Sequence, residues 1–354
     1  MSIYKYDYLC YLGRFQPIHC GHVHVIRKAL EMCQTLIMVI GSDQKAPDIR
    51  DPFSTKERIK LITLSLTTEE RERIKFVPQV DYMYNDDRWI ASIQTAVQTL
   101  ILNEPWRPDA VKVGIVGYDK DHTTYYLKKF PQYEFVSITP INGQNSTDFR
   151  KALFEDNTKL WSSYCANEKV ISWLQDWKYG HIGAKSNDEY KRLVREYEHV
   201  RDYKKGWEKS PYPPTFVTVD AIVRQSGHIL LVTRRDMPGE GLWALPGGFV
   251  NQTETLEEAV IRELYEETRI DIPKPVLKGS MVARRTFDNP NRSTRGRTIT
   301  ECFDIKLNDG FDLPKVKGGD DADKAFWVPY VEVVLNRDKF FEDHFHMLSG
   351  MVGL

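Results

Sequence analysis

Across residues 8–177 the chain alternates short apolar runs with helical periods, and this alternation restricts the fold more than any other feature. YLCYLG (8–13), TLIMVIGS (35–42), IKFVPQV (74–80), AVKVGIVG (110–117) and YEFVSITPI (133–141) read as strands. Helical periods lie at 22–33, 54–66 and 87–102, with two more at 147–155 and 167–177. Ser54, with Glu57 three residues on, forms a capping box that opens the second of these. Strands joined by helices pair in parallel, and a parallel sheet needs helices on its faces. In such α/β sheets, ligands bind beyond the carboxyl ends of the strands.

The pattern then changes. Residues 178 to about 210 read as a glycine-containing loop and a charged helix, followed by the breaker PYPP at 211–214. From Thr215 the chain is β-rich (TFVTVDAIVR, HILLVTRR, RTITECFDIKL, AFWVPY), with one strong helix from about Thr255 to Thr268. The expected division is 1–180, a linker at 181–214, and 215–354. A length of 354 residues agrees with two domains, at roughly 150 residues each. Lys+Arg number 49 and Asp+Glu 50, so no basic surplus points to nucleic acid and no K/R-rich block to an anionic membrane. No signal-peptide pattern opens the chain, and no apolar run nears the roughly 20 residues of a membrane span. The five cysteines are scattered without a C-x-x-C pair, which predicts reduced thiols in a cytoplasmic protein. The expected partners are small molecules. Homo-oligomerisation is compatible with the sequence.

GRFQPIHCGH (13–22) joins the first strand to the first helix. His19 and His22 flank Cys20 and Gly21, a spacing that suits either a metal or a phosphate. No C-x-x-C or acidic cluster nearby completes a tetrahedral set. The phosphate reading uses every part. Gly13 and Gly21 allow close backbone approach, the helix start offers free N–H groups, the histidines donate, and Arg14 adds a fixed charge. The segment resembles the G-x-F-x-P-x-H-x-G-H motif of the adenylyl/cytidylyl-transferase superfamily through Gly13, Phe15, Pro17, His19, Gly21 and His22.

Further segments resemble the archaeal-type nicotinamide mononucleotide (NMN) adenylyltransferases. GSDQKAPDIRDPFSTKER (41–58) is one, and the resemblance implies that Arg50 contacts the triphosphate. NSTDFR (145–150) is similar to the family's S-x-T-x-x-R segment through Ser146, Thr147 and Arg150, with Gln144 and Asn145 replacing the usual Ile-Ser lead-in. YNDDRW (84–89) resembles the stretch that stacks the nicotinamide ring on a tryptophan. By that likeness Trp89 stacks the ring, a cation–π pair of roughly 0.5–2 kcal/mol, and Asn85 or Asp86 recognises the carboxamide. Burial in the core is the competing role for Trp89. The implied chemistry has ATP as co-substrate. His22 would serve the α-phosphate, with His19, Arg14, Arg50, Arg150 and Mg²⁺ on the β- and γ-phosphates.

GGFVNQTETLEEAVIRELYEETRI (247–270) carries Glu263, Glu266 and Glu267 at i, i+3 and i+4, on one helix face. Three carboxylates there repel one another unless hard divalent cations, Mg²⁺ or Mn²⁺, sit among them. Arg262 can pair with Glu254 or Glu258. The stretch resembles the Nudix box through Gly248, Glu254, Arg262, Glu263, Leu264, Glu266, Glu267 and Ile270. The resemblance implies metal at Gly248, Glu263, Glu266 and Glu267, with Glu266 and Glu267 catalytic. Arg269 replaces the usual Gly at the helix end. RRTFDNPNRSTRGRTIT (284–300) resembles the segment of ADP-ribose pyrophosphatases attached to such transferases. There Arg292, Arg295 and Arg297 would bind phosphate or ribose, or simply form a basic loop. Asp320 or Asp321 would supply a general base.

The implied architecture is α/β: a Rossmann-like nucleotidyltransferase domain, then a Nudix α/β/α sandwich. The chain resembles the bacterial bifunctional NMN adenylyltransferase/Nudix hydrolases. The expected activities are NAD⁺ synthesis and hydrolysis of ADP-ribose to AMP and ribose 5-phosphate. The alternatives are another acceptor (nicotinate mononucleotide, phosphopantetheine, FMN), and a second domain that only senses ADP-ribose or cleaves another nucleoside diphosphate.

Overall fold

A computed structural model of the chain describes residues 4–103, 111–118, 127–139, 141, 144–181, 186–319 and 322–354. The chain divides into two compact units, Met1–Val194 and Arg195–Leu354.

The first unit runs β1 (Tyr6–Gly13), α1 (Cys20–Leu30), β2 (Cys33–Asp43), α2 (Thr55–Leu64), α3 (Thr68–Glu72), β3 (Ile74–Val80), α4 (Asp86–Leu102), β4 (Val113–Gly117), β5 (Glu134–Ser137), α5 (Ser146–Phe154), α6 (Thr158–Ser162) and α7 (Glu168–Tyr179). The strands form a parallel sheet in the order β3-β2-β1-β4-β5. Alternation along the strands sends side chains to both faces, and both are buried. Tyr8, Cys10, Leu12, Ile37 and Val39 pack with Ile93, Val97 and Ile101 of α4. Leu9, Tyr11, Leu36, Met38 and Ile40 point the other way and are equally buried, with α1 and α2 against β2. The Ser54–Glu57 capping box is present at α2.

α8 (Ser186–Lys205) crosses the division between units. The second unit continues with β6 (Thr215–Gln225), β7 (His228–Arg234), β8 (Trp243–Ala244), β9 (Gly247–Phe249), α9 (Leu256–Thr268), α10 (Lys274–Gly279), β10 (Met281–Phe287), β11 (Arg297–Lys306), β12 (Ala322–Pro329), α11 (Tyr330–Leu335) and α12 (His344–Val352). Its mixed sheet has the order β10-β11-β6-β7-β12, with β8 paired to β7 and β9 to β6. Val219, Ala221 and Val223 of β6 face Ala259, Val260, Ile261 and Leu264 of α9 in one core. That packing fixes which face α9 turns away from the core. Among the described residues, no helix is long and apolar enough to cross a membrane.

Candidate active sites

β1 is the switch strand of the first sheet, with β2 and β3 on one side and β4 and β5 on the other. A crevice opens at the carboxyl end of such a strand. Gly13 ends β1 there. A Cβ on Gly13 would lie 2.8 Å from the Phe15 ring, so only glycine leaves room for that buried side chain.

The loop delivers His19 to the N-cap of α1. The Gly21 N–H donates to His19 Nδ1 at 3.1 Å, and the His19 N–H donates to His22 Nδ1 at 3.3 Å. These bonds assign the proton of each neutral ring to Nε2. The ring centroids lie 3.8 Å apart. Burial lowers His19 from its usual 6.5 to about 4. Burial, and then the neighbouring His19, put His22 well below the usual range. At neutral pH the pair is therefore two uncharged N–H donors.

Positive charge comes from the surrounding side chains. Arg14 donates to the buried Asp51 carboxylate at 3.2 Å, and Lys45 pairs with Asp51 and, at 2.9 Å, with Asp48. Burial works against ionising Asp51, but Lys45 and Arg14 hold it below the usual carboxylate range. Asp48 places Arg50 by accepting from the Arg50 and Asp51 N–H groups at 2.7 and 2.8 Å. Arg150 of α5 donates to Gln16 O at 2.6 Å and to Thr147 Oγ1 at 3.3 Å. Burial brings it down to about 10, and it feels both Arg14 and Arg50. Ser146 Oγ donates to Pro17 O at 3.1 Å, tying α5 to the loop after β1. Asn145, at the departure from the family motif, is the N-cap of α5. His19, His22, Arg14, Arg50, Ser146, Thr147 and Arg150 thus gather around one loop.

Sequence reasoning missed Lys45 and Arg58. Buried Arg58 donates to the carbonyls of Arg14, Gly41 and Ser42 at 2.8, 2.5 and 3.1 Å, pinning the ends of β1 and β2 together. An arginine on the inner face of α2 was the available signal. Trp89, Asn85 and Asp86 lie instead at the start of α4. Trp89 is half-buried, edge-on to Phe130 at 5.9 Å. Asn85 Oδ1 caps the helix by accepting from the Arg88 N–H at 2.9 Å, and Asp86 pairs with Lys129.

In the second unit, α9 opens on Thr255 with a Thr255–Glu258 capping box. Glu258 is thereby occupied, and Arg262 takes Glu254, at 2.6 and 2.9 Å. That pairing holds Glu254 down at about 2. Arg262 also donates to Glu263 and Glu266, both at 2.8 Å, and to Phe249 O at 3.1 Å. A Cβ on Gly248 would lie 2.6 Å from the Glu263 carboxyl, so this glycine makes the space that Glu263 occupies. Glu267 accepts from the Gly247 N–H at 3.0 Å. Arg269 ends α9 in the left-handed region at φ 45, so the helix exit a glycine would give is kept.

Among the described residues the three carboxylates do not close on one point, because Glu263 and Glu266 share Arg262 while Glu267 turns to Gly247. Their chemistry nevertheless fits a hard divalent cation. Burial above all, with Glu263 adding to it, pushes Glu267 up to about 8, and burial also raises Glu263. A raised folded value means that stability is present in acid and is lost as pH rises towards the folded value. In EDTA, calorimetry of the full chain should therefore show the hydrolase-like transition weakening from about pH 5 to 8. Glu267→Gln should flatten that slope and Mg²⁺ should oppose it. Equal slopes in all three samples would remove Glu267 as the cause.

Arg292 is turned inward. It is buried against Asp343, with bonds at 2.9 and 3.0 Å, and reaches Met347. It braces the arginine loop rather than facing a ligand, which corrects its expected substrate contact. Arg295 lies over the Phe249 ring at 5.4 Å, and Arg297 lies near Asp288. Asp320 and Asp321 fall outside the described residues.

A Cytidylyltransferase-like family model matches residues 10–148, and a NUDIX domain model matches 214–350. Fold and sites together define a nucleotidyltransferase joined to a Nudix domain. The nicotinamide/nicotinic acid mononucleotide adenylyltransferase of Acinetobacter baylyi is 35% identical over 196 residues, 55% of this chain and 95% of that protein. The ADP-ribose pyrophosphatase of Methanocaldococcus jannaschii is 35% identical over 137 residues, 38% of this chain and 75% of that protein. The crystal structure of a bifunctional NMN adenylyltransferase/ADP ribose pyrophosphatase from Francisella tularensis, complexed with AMP and Mn ion, matches at 32% identity with a TM-score of 0.89 over 98% of this chain and 99% of that one. This chain belongs to that family of bifunctional NMN adenylyltransferase/ADP-ribose pyrophosphatases.

Proposed function

We propose that the first domain, 1–180, transfers the adenylyl group of ATP to NMN, and that the second, 215–354, hydrolyses ADP-ribose to AMP and ribose 5-phosphate. The observation that carries this reading is the pair of neutral Nε2–H donors set among Arg14, Arg50 and Arg150, in a chain that also carries the carboxylate face of α9. Five unpaired cysteines suit a reducing, cytoplasmic compartment.

In the transfer, the NMN phosphate oxygen forms a bond to the α-phosphorus as the bond from that phosphorus to the bridging oxygen of pyrophosphate breaks. Catalysis here is positioning and charge stabilisation. His22 donates to the α-phosphate, and His19, Arg14, Arg50 and Arg150 hold the departing phosphates. Gly13, Phe15 and Gly21 shape the cradle, and Ser146 and Thr147 anchor α5 to it. In the hydrolysis, Glu263, Glu266 and Glu267 with the Gly248 backbone would hold the metal, and Arg295 and Arg297 would meet the substrate. Mg²⁺ or Mn²⁺, when bound, neutralises phosphate charge and in the hydrolase makes an attacking water more acidic.

The test is one purified full-length sample in Mg²⁺, given ATP with NMN in one reaction and ADP-ribose in another, with products separated by chromatography. NAD⁺ and AMP respectively are expected. NAD⁺ without AMP would leave the second domain a sensor or a hydrolase of another diphosphate, and no NAD⁺ would require another acceptor. Trp89→Ala should raise the KM for NMN roughly 10-fold with kcat nearly unchanged, as expected for loss of a cation–π contact. An unchanged KM returns Trp89 to the core.

A further inference from the structure

A cavity of about 370 Å³ lies in the second unit, lined by Lys204, Trp207, Phe216, Arg295 and Arg297 among others. Its size falls within the usual range for small-molecule sites. Lys204 and Trp207 come from the tail of α8 and the turn after it, which the sequence pattern assigns to a linker. The wall is aromatic. The Trp207 and Phe216 rings lie 5.6 Å apart edge to face, and Phe216 meets Phe249 at 5.8 Å. Trp207 remains 45% exposed, unusual for an indole with a purely structural role. Gly296 stands between the two arginines at φ 155, letting the loop approach Phe216.

Two residues of the cavity wall, Phe216 and Arg295, both meet the Phe249 ring. Phe249 directly follows Gly248, whose missing Cβ admits Glu263, and the Phe249 carbonyl is held by Arg262. Arg295 both lines the cavity and lies over the Phe249 ring, so a cation links the aromatic wall to the residue that follows Gly248. A flat aromatic wall takes a nucleobase, and the cations beside it take a phosphate.

We propose that this cavity seats the adenosine half of the diphosphate substrate, with Trp207 stacking the base and Lys204, Arg295 and Arg297 steering its phosphate. The proposal rests on the hydrolase reading and deepens it: the segment joining the domains becomes part of the hydrolase site.

The test uses full-length Trp207→Ala and Trp207→Phe with ADP-ribose as substrate. The alanine variant should raise KM roughly 10-fold, in line with loss of one base–aromatic stack, with kcat within about 2-fold, since stacking on a remote base is uniform binding. The phenylalanine variant should recover most of that loss, and NAD⁺ synthesis in the same samples should be unchanged. AMP and ribose 5-phosphate, tried separately as inhibitors of hydrolysis, assign the half. Weakened inhibition by AMP alone supports the proposal. Weakened inhibition by ribose 5-phosphate alone, or no change in KM, overturns it. If the wild-type chain does not hydrolyse ADP-ribose, the hydrolase reading fails by itself. Calorimetric binding of ADP-ribose then decides, and equal affinity in wild type and Trp207→Ala overturns the proposal.

Discussion

Glu266→Gln removes ADP-ribose hydrolysis by roughly 1,000-fold in kcat, an effect within the usual range for a lost carboxylate that handles protons or metal, while NAD⁺ synthesis in the same sample is unchanged. Glu266 is the most exposed of the three α9 carboxylates, at 40% against 13% for Glu263, with Glu267 buried. It is therefore the most accessible of the three to a ligand from solvent. Its partner in the structure is Arg262 at 2.8 Å, an i, i+4 pair on a helix surface. Such a pair contributes only about 0.3–0.5 kcal/mol, so glutamine leaves the fold intact and a lost rate cannot be charged to unfolding. Calorimetric ADP-ribose binding by the variant should be within a few-fold of wild type. Hydrolysis at the wild-type rate would take Glu266 out of the mechanism. Lost hydrolysis together with lost binding would make it a ligand of the substrate complex rather than of the chemical step.

How far this site could be read in advance depended on how local each interaction is. β1 and β2 are buried on both faces and so appear as unbroken apolar runs. β10 is an edge strand, exposed along Val282–Thr286, and its MVARRTF does not separate from the basic loop that follows. The Thr255–Glu258 capping box obeys the rule that located Ser54 and Glu57. Applied there, it would have left Glu254 as the partner of Arg262. Arg292 was not legible, because its partner Asp343 lies 51 residues away and nothing near it in sequence marks it as buried. Arg58 failed in the same way, since its acceptors are main-chain carbonyls of Arg14, Gly41 and Ser42 brought together by sheet pairing. The histidine loop was legible because motif, cap and glycine spacing all lie within ten residues.

His22→Ala should lower kcat for NAD⁺ synthesis roughly 100- to 1,000-fold, the usual loss for one transition-state hydrogen-bond donor, and leave ADP-ribose hydrolysis alone. The ring is fixed for that task. Its Nδ1 accepts from the His19 N–H, and Phe15 meets it edge-on at 5.1 Å, so Nε2–H has one direction to point. Losing the cap bond should cost about 1 kcal/mol of stability, which a melting curve reads separately from the rate. The loss should fall on kcat rather than on the KM for ATP, because Arg14, Arg50 and Arg150, the proposed triphosphate ligands, are left in place. The pH profile carries the second half of the prediction. A His19 value near 4 and a His22 value lower still mean that both donors stay neutral well below the usual histidine range. Both folded values are depressed, so the stability they contribute is complete above about pH 6.5 and declines as pH falls towards the folded values. The wild-type rate should therefore cross pH 6.5 without a histidine inflection. An inflection there that disappears in His22→Ala would mean that His22 works as a cation, and the neutral-donor mechanism would have to be given up.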